Sequence, residues 1–128
     1  MEGLRVLIVD DIIMNRILIK EILDELSCQV TEAKNGKEAI ELLSNQTFDI
    51  LLIDIEMPVM NGLETTSYIR KNMPGKVKDM PIIAITAHNP DLYFDDLHKV
   101  GFDNLVTKPY TYEQIKSLLE EYFGEFSV

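Results

Sequence analysis

Short apolar segments alternate with amphipathic ones along the chain, and this alternation restricts its possible folds more than any other feature. Residues 4–9, 50–53 and 82–85 are almost continuous apolar runs. Runs of this length are typical of strands buried on both faces, as in a parallel sheet. Residues 28–32 and 104–106 are weaker strand candidates.

Helices are predicted between these strands. Apolar residues recur at helical spacing in residues 14–26. A capping residue with glutamate or glutamine three positions later opens three further helices, and these pairs are Asn35 with Glu38, Asn61 with Glu64, and Thr111 with Gln114. Asn89 before Pro90 opens the remaining helix. The stretch Lys71 to Pro81 is expected to be a surface loop.

A strand followed by a helix, repeated five times, predicts a flavodoxin-like α/β fold of three layers. Its five-stranded parallel sheet is expected in the order 2-1-3-4-5, rather than in the six-stranded dinucleotide-binding order. The 128 residues, 46% of them hydrophobic, fit a single domain spanning 1–128.

The net charge and the cysteine content limit the classes of function and the cellular compartments that fit this chain. The formal net charge of −10 argues against nucleic-acid binding, which requires a basic surface. Cys28 is the sole cysteine, which fits a reducing compartment, and a buried inert thiol is expected. Without a signal peptide or a membrane-spanning run, we expect a cytoplasmic location, or the cytosolic face of a membrane sensor.

Polar residues that bind cations, phosphates or protons follow four of the five predicted strands. They are Asp10 and Asp11 after strand 1, Asp54 after strand 3, Thr86 after strand 4 and Lys108 after strand 5. Ligands of open parallel sheets bind at the carboxyl ends of strands near the switch point, which here lies between strands 1 and 3. The three aspartates are therefore expected to converge.

Converging carboxylates repel one another, and a hard divalent cation such as Mg²⁺ relieves that repulsion. A carboxylate beside Mg²⁺ and Lys108 can attack a phosphoryl group, because the cations neutralise the transferring oxygens. The Thr86 hydroxyl can then donate a hydrogen bond to a phosphoryl oxygen. Taken alone, Asp10 or Asp11 would be interpreted as a helix cap, Thr86 as a hydroxyl at a strand end, and Lys108 as a solvent-exposed side chain. Found together, at the ends of predicted strands, they indicate a functional site.

With these motifs in order, the sequence resembles the receiver domain of two-component response regulators over nearly its whole length. The matching motifs are Val9-Asp10-Asp11, the segment Asp54 to Gly62 (DIEMPVMNG), Ile85-Thr86-Ala87 and Lys108-Pro109. The subtype motifs, Asp11-x-x-x-Asn15-Arg16 and Thr86-Ala87-His88, are similar to those of receivers in hybrid sensor histidine kinases or freestanding phosphorelay proteins.

The resemblance implies a phosphoacceptor and a metal site. Asp54 is the expected phosphoacceptor. Asp11 is expected to bind Mg²⁺ directly, Asp10 largely through water, and the backbone carbonyl of Glu56 to supply a further ligand. The implied function is Mg²⁺-dependent phosphoryl transfer from a phosphohistidine partner to Asp54 in phosphorelay signalling.

The resemblance also implies a switch. Lys108 is expected to bind the phosphoryl group, Thr86 to move toward it, and the Lys108–Pro109 peptide to be cis. Many receivers carry an aromatic residue three positions before the lysine, where this chain has Leu105. The aromatic half of the usual switch is therefore expected to be missing.

Partners and catalytic status follow from the same resemblance. The expected partner is a histidine kinase or a histidine phosphotransfer protein, with candidate contacts at Asn15, Leu18 and Pro109; Leu18 suits the helix core equally. The chain is expected to be a monomer or weak dimer. It is not a conventional enzyme, but it would catalyse its own phosphorylation and slow autodephosphorylation, alone or within a hybrid histidine kinase.

Two alternatives stay open. One is a binding-only pseudo-receiver, which the complete residue set disfavours and Leu105 leaves possible. The other is a phosphohydrolase of the haloacid-dehalogenase kind, which requires a second aspartate two positions after the nucleophile. The pair Asp10 and Asp11 is adjacent instead, which disfavours this reading.

Overall fold

A parallel sheet of five short strands, in the order β2-β1-β3-β4-β5, forms the centre of the molecule. The computed structural model describes residues 3–87 and 94–124. The strands are β1 (Arg5–Val9), β2 (Gln29–Ala33), β3 (Ile50–Asp54), β4 (Ile82–Thr86) and β5 (Asn104–Thr107). The helices are α1 (Ile13–Glu25), α2 (Gly36–Asn45), α3 (Gly62–Asn72), α4 (Lys76–Asp79), α5 (Phe94–Val100) and α6 (Tyr112–Phe123). The predicted sheet order is confirmed.

Apolar side chains pack on both faces of the sheet. Successive residues of a strand point to opposite faces of the sheet. Along β1, Val6 and Ile8 therefore belong to what we call the first core cluster, on one face, and Leu7 and Val9 belong to the second core cluster, on the other face. Helices α1 and α6 cover the first face, and α2, α3 and α5 cover the second. Burial on both sides explains why β1, β3 and β4 read as almost continuous apolar runs rather than alternating ones.

The capping predictions are confirmed where the structure describes them. Asn61 with Glu64 and Thr111 with Gln114 form complete capping boxes, and Asn35 accepts a hydrogen bond from the backbone of Glu38 at 2.8 Å. Among the other predictions, the cap at residues 89–90 and the motif position 88 lie outside the described residues. No helix in the described ranges is long and apolar enough to cross a bilayer.

The stretch Lys71 to Pro81 is more ordered than the predicted surface loop, because it completes α3 and then forms the short helix α4. Arg70 of α3 explains this order. Its guanidinium donates hydrogen bonds to the carbonyl oxygens of Met80 at 2.8 Å and Gly101 at 2.9 Å, and pairs with Asp103 at 2.8 Å. These bonds join the turn after α4 to the loop between α5 and β5.

Cys28 is buried within the first core cluster, as predicted. Burial raises the pKa of its thiol to about 11. The thiol is therefore protonated at neutral pH, and a protonated, buried thiol is a poor nucleophile.

Gly62, the first residue of α3, packs directly against the end of β3. A Cβ atom at this position would lie 2.5 Å from the backbone oxygen of Asp54 and 2.8 Å from Cα of Ile55. Both neighbours are backbone atoms and cannot rotate away. The absence of a side chain at Gly62 is therefore what lets α3 begin so close to Asp54.

We expect Gly62→Ala to destabilise the protein by about 1–3 kcal/mol through overpacking. Alanine has the higher helix propensity, so propensity alone predicts the opposite sign. Urea unfolding measures the difference, with Lys71→Ala, an exposed residue of the same helix, as the control that changes stability little. A Gly62→Ala protein as stable as the wild type would contradict the close packing.

Candidate functional site

Three carboxylates meet at the C-terminal edge of the sheet. Asp54 ends β3, Asp10 and Asp11 follow β1, and these two strands are neighbours. One oxygen from each aspartate lies within 4.8 Å of the others. Asp10 and Asp54 are buried, with 4% and 7% of their surfaces exposed, whereas Asp11 is exposed. The result is an acidic pocket that opens to solvent on the side of Asp11.

Lys108 brings a positive charge into this pocket from the loop after β5. Its Nζ lies 3.5 Å from Oδ2 of Asp10 and 3.5 Å from Oδ2 of Asp54. Its backbone N–H donates to the carbonyl oxygen of Thr86 at 2.8 Å, and the Lys108–Pro109 peptide is cis. A single ammonium group between two carboxylates leaves the pocket with excess negative charge.

The surroundings of Asp54 shift its ionisation toward the neutral form. Burial raises the pKa of Asp54 above its ordinary value and the charge of Asp10 raises it further, while Lys108 and a hydrogen bond from the backbone N–H of Glu56 lower it. That hydrogen bond joins Glu56 N to Asp54 Oδ1 over 3.4 Å. A further cation would favour the ionised form.

The donor set fits a hard divalent cation. Carboxylate and carbonyl oxygens are the ligands that Mg²⁺ prefers, and it usually binds through one or two carboxylates while keeping several waters. The exposed side of the pocket, at Asp11, leaves access for such waters. Asp10, Asp11 and Asp54 could therefore hold Mg²⁺, and the excess negative charge gives a physical reason for one to bind.

Thr86 and Glu56, the two remaining predicted site residues, lie at the same edge of the sheet. Thr86 ends β4, next to β3, with 2% of its surface exposed. Glu56 is exposed, two residues beyond Asp54. Leu105, in β5, is half-buried against the second core cluster. The position expected to carry an aromatic residue in many receivers is thus filled by an aliphatic side chain that packs into the core.

An apolar surface on α1 adjoins the acidic pocket. Its exposed members, which we call the α1 patch, are Ile12, Ile13, Met14, Ile17 and Leu18. Leu18 is 48% exposed, so of its two predicted environments the structure favours the surface. Pro109 is also exposed, and next to it the hydroxyl of Tyr110 donates to the carbonyl oxygen of Asn15 at 3.4 Å. This contact joins the loop after β5 to α1.

Two features near the site were not predicted. Val59 adopts a φ of 71°, and the N–H of Met60 donates to the carbonyl oxygen of Pro58 at 2.8 Å. Such a turn is strained for a β-branched residue, and the sequence carries no signal for it. Arg16 donates a hydrogen bond to the carbonyl oxygen of Asp10, a contact that its place in the Asn15-Arg16 motif does not indicate.

Comparison with known proteins identifies relatives. The family model described as the response regulator receiver domain matches residues 6–120. A chemotaxis protein CheY homolog from Campylobacter jejuni is 37% identical over 123 residues, covering 94% of this chain and 93% of that protein. Hybrid signal transduction histidine kinase I from Dictyostelium discoideum is 35% identical over 130 residues, covering 94% of this chain but 8% of that protein. The chain thus spans a small part of this kinase.

A solved structure shares the fold closely. The receiver domain of a sensor histidine kinase from Pseudomonas aeruginosa superposes with a TM-score of 0.85 at 27% identity, over 96% of this chain and 99% of that chain. That crystal structure contains a magnesium ion coordinated in the active site cleft.

We expect Asp54→Asn to stabilise the metal-free protein at neutral pH, because it removes a buried charge that burial and Asp10 disfavour. Because the folded-state pKa of Asp54 is raised, ionised Asp54 lowers stability; its favourable contribution is present at low pH and lost as the pH rises through the folded pKa. The gain from Asp54→Asn should therefore shrink toward about pH 4, near the ordinary carboxyl pKa.

Urea unfolding in EDTA at several pH values measures this gain. Asp24→Asn is the matched control, because Asp24 is an exposed aspartate paired with Lys20 on α1. Lower stability of Asp54→Asn than of the wild type at pH 7 would show that the pair with Lys108 outweighs burial and repulsion.

Proposed function

The chain belongs to the response regulator receiver domain family, and we propose that its residues 1–128 form one receiver domain that accepts a phosphoryl group on Asp54 in a Mg²⁺ site. Receiver domains are the phosphoacceptors of two-component systems and interact with histidine kinases or histidine phosphotransfer proteins. The observation that carries the assignment to Asp54 is its position. It is buried, its Oδ2 lies 3.5 Å from Nζ of Lys108, and it has an oxygen within 4.8 Å of the carboxylates of Asp10 and Asp11.

The proposed metal ligands are side chains and one backbone group. Asp11 and Asp54 would bind Mg²⁺ directly, the carbonyl oxygen of Glu56 would be a further ligand, and Asp10 would act largely through water. When bound, Mg²⁺ would neutralise negative charge on the transferring phosphoryl oxygens. The acidic pocket and the magnesium in the cleft of the Pseudomonas aeruginosa receiver both support this proposal.

In the proposed transfer, a carboxylate oxygen of Asp54 attacks the phosphorus atom of a phosphohistidine. An O–P bond forms as the N–P bond breaks, and the electron pair of the broken bond stays with the histidine ring. Lys108, with Nζ 3.5 Å from Oδ2 of Asp54, would form an ion pair with the phosphoryl oxygens. Holding the nucleophile and this positive charge in place before the partner arrives lowers the barrier through positioning and charge stabilisation.

Thr86 is the proposed switch residue. Its position at the end of β4, next to Asp54 on β3, would let its hydroxyl approach a phosphoryl group there. Leu105 would then follow through aliphatic repacking in the second core cluster rather than through rotation of an aromatic ring. The chain would also hydrolyse its own aspartyl phosphate slowly, with water as the second acceptor.

The α1 patch is the proposed docking surface for the phosphohistidine-bearing partner. It begins directly after Asp11, so a partner seated on it lies beside the pocket. An exposed cluster of large apolar side chains beside a charged cleft is typical of protein interaction sites. The hydrogen bond between Tyr110 and Asn15 holds the loop after β5 against α1. The exposed Pro109 in this loop would therefore enlarge the proposed docking surface.

We expect incubation with Mg²⁺ and acetyl phosphate to add one phosphoryl mass to the protein, at Asp54. Intact-mass spectrometry measures the gain, and peptide mapping after borohydride reduction locates it. Asp54→Ala should show no gain, because the nucleophile is absent, and EDTA should abolish the gain in the wild type. Asp24→Ala is the matched control for loss of an exposed aspartate.

A wild-type protein that stays unmodified with acetyl phosphate, and also with a panel of phosphorylated histidine phosphotransfer proteins, would refute the proposal. Such a result, with Mg²⁺ bound and the fold intact, would favour a binding-only pseudo-receiver. A gain that persists in Asp54→Ala would instead place the acceptor on another residue.

We expect Leu18→Glu to slow transfer from a histidine phosphotransfer protein at least about tenfold, while phosphorylation by acetyl phosphate keeps its wild-type rate. A charge in the centre of an apolar interface is costly to desolvate, whereas the small donor needs no interface. Leu63→Glu is the matched control, because Leu63 is an exposed leucine on α3. Equal transfer rates for the two variants would exclude the α1 patch as the docking surface.

A further inference from the structure

Arg16 reaches from α1 back to the backbone between β1 and the acidic pocket. Its Nη1 donates a hydrogen bond to the carbonyl oxygen of Asp10 at 2.6 Å, and its Nε donates to Oε1 of Glu32 at 3.1 Å. The Arg16 side chain is 14% exposed, which is low for an arginine. Glu32 lies on β2, next to Ile8 of β1, so the guanidinium joins the ends of two strands to α1.

These contacts leave Asp10 with a partner on every polar group. Its N–H donates to the carbonyl oxygen of Ala33 at 3.1 Å. Its Oδ1 accepts from the N–H of Ile12 at 2.9 Å, and its Oδ2 pairs with Lys108. The carbonyl oxygen is the fourth group, and Arg16 holds it with a charge-assisted bond, a stronger type than neutral hydrogen bonds.

The carbonyl of Asp10 matters because it belongs to the peptide plane that leads into Asp11. A peptide unit is rigid, so fixing its oxygen also fixes the N–H of Asp11 and limits the directions open to the Asp11 side chain. Asp11 is exposed and lies in the loop before α1, where surrounding atoms restrict it less than they restrict Asp10 or Asp54. Its orientation therefore depends strongly on the preceding peptide.

We propose that Arg16, oriented by Glu32, is a positioning residue for the metal site: it fixes the Asp10–Asp11 peptide so that Asp11 is preorganised to bind Mg²⁺. The inference rests on the proposed function, since it concerns the same pocket. Residues that orient metal ligands commonly change metal affinity by 10–100-fold. Arg16 itself touches neither the metal nor the phosphoryl group in this proposal.

Charge and geometry predict opposite effects for the loss of Arg16. The guanidinium is a positive charge near a site for a divalent cation, so its electrostatic effect alone is to weaken Mg²⁺ binding. Removing it would then tighten binding. If Arg16 acts through the peptide of Asp10, removing it weakens binding despite the lost repulsion. The sign of the change therefore separates the two explanations.

The test is the Mg²⁺ dissociation constant of the intact chain, measured by isothermal titration calorimetry at 0.15 M salt. We expect Arg16→Ala to raise it about tenfold, and Arg16→Lys to restore part of the affinity, since lysine keeps the charge and the donors but lacks the rigid fork of the guanidinium. Lys20→Ala is the matched control, because it removes an exposed cation from the same helix and should leave affinity unchanged. Thermal unfolding in EDTA checks that each variant is folded.

Glu32→Ala completes the test as a double-mutant cycle, because alanine removes the oxygen that accepts from Arg16, whereas glutamine would keep an acceptor. If Glu32 acts by orienting Arg16, Glu32→Ala weakens Mg²⁺ binding in the wild type but has little further effect in Arg16→Ala. If Glu32 acts only as a distant charge, the two effects add. Glu32→Ala keeps the arginine, so it remains a test of the contact even if Arg16→Ala fails to fold.

Unchanged or tighter Mg²⁺ binding in Arg16→Ala would overturn the positioning role, and so would additive effects in the cycle. If the wild-type protein is nevertheless phosphorylated on Asp54, only the positioning role is overturned and the proposed function is retained. A wild-type chain that binds no Mg²⁺ and accepts no phosphoryl group would overturn both.

Discussion

The pairing of β1 with β3 is the constraint on which the site depends. Parallel strands end at the same edge of a sheet, and the register joins Val9 to Ile53, so the next residues, Asp10 and Asp54, emerge side by side. Burial of both faces of the sheet fixes this register, because a shift by one residue would turn each apolar side chain toward the wrong helix layer. The positions of Asp10 and Asp54 are therefore set by the pairing of two buried strands, β1 and β3.

This geometry concentrates like charges in a buried place, which opposes folding. Lys108 offsets part of the repulsion, but it lies 3.5 Å from two carboxylates at once and cannot neutralise both. Burial is the main cause of the raised pKa of Asp54, and the charge of Asp10 adds to it. Proteins retain such locally unfavourable arrangements mainly where function requires them. The packing of the sheet compensates, and a bound cation would relieve this repulsion.

Most of the fold and the site could be predicted because their signals are local. Strands appear as apolar runs, and helix starts as capping pairs such as Asn61 with Glu64. The features that were missed depend on side chains that reach distant backbone. Arg70 orders the segment around α4 by bonding to Met80 and Gly101, and Arg16 bonds to Asp10. The residues around a helical arginine in the sequence are the same whether its guanidinium is solvated or hydrogen-bonded to a distant carbonyl oxygen. The sequence therefore does not predict which of these environments the side chain has.

Helix α1 takes part in the core, in the exposed α1 patch and in the backbone contacts of the acidic pocket. One face packs Ile19 and Leu23 into the first core cluster, and the opposite face exposes the α1 patch. Between the two faces, Arg16 bonds to the backbone that carries the aspartates. Because a helix moves as a rigid unit over a few turns, a partner seated on the α1 patch would act on an element that is bonded to the loop carrying Asp10 and Asp11. The proposed docking surface and the proposed metal site would therefore be coupled through α1, and its core contacts would limit how far either could move the other.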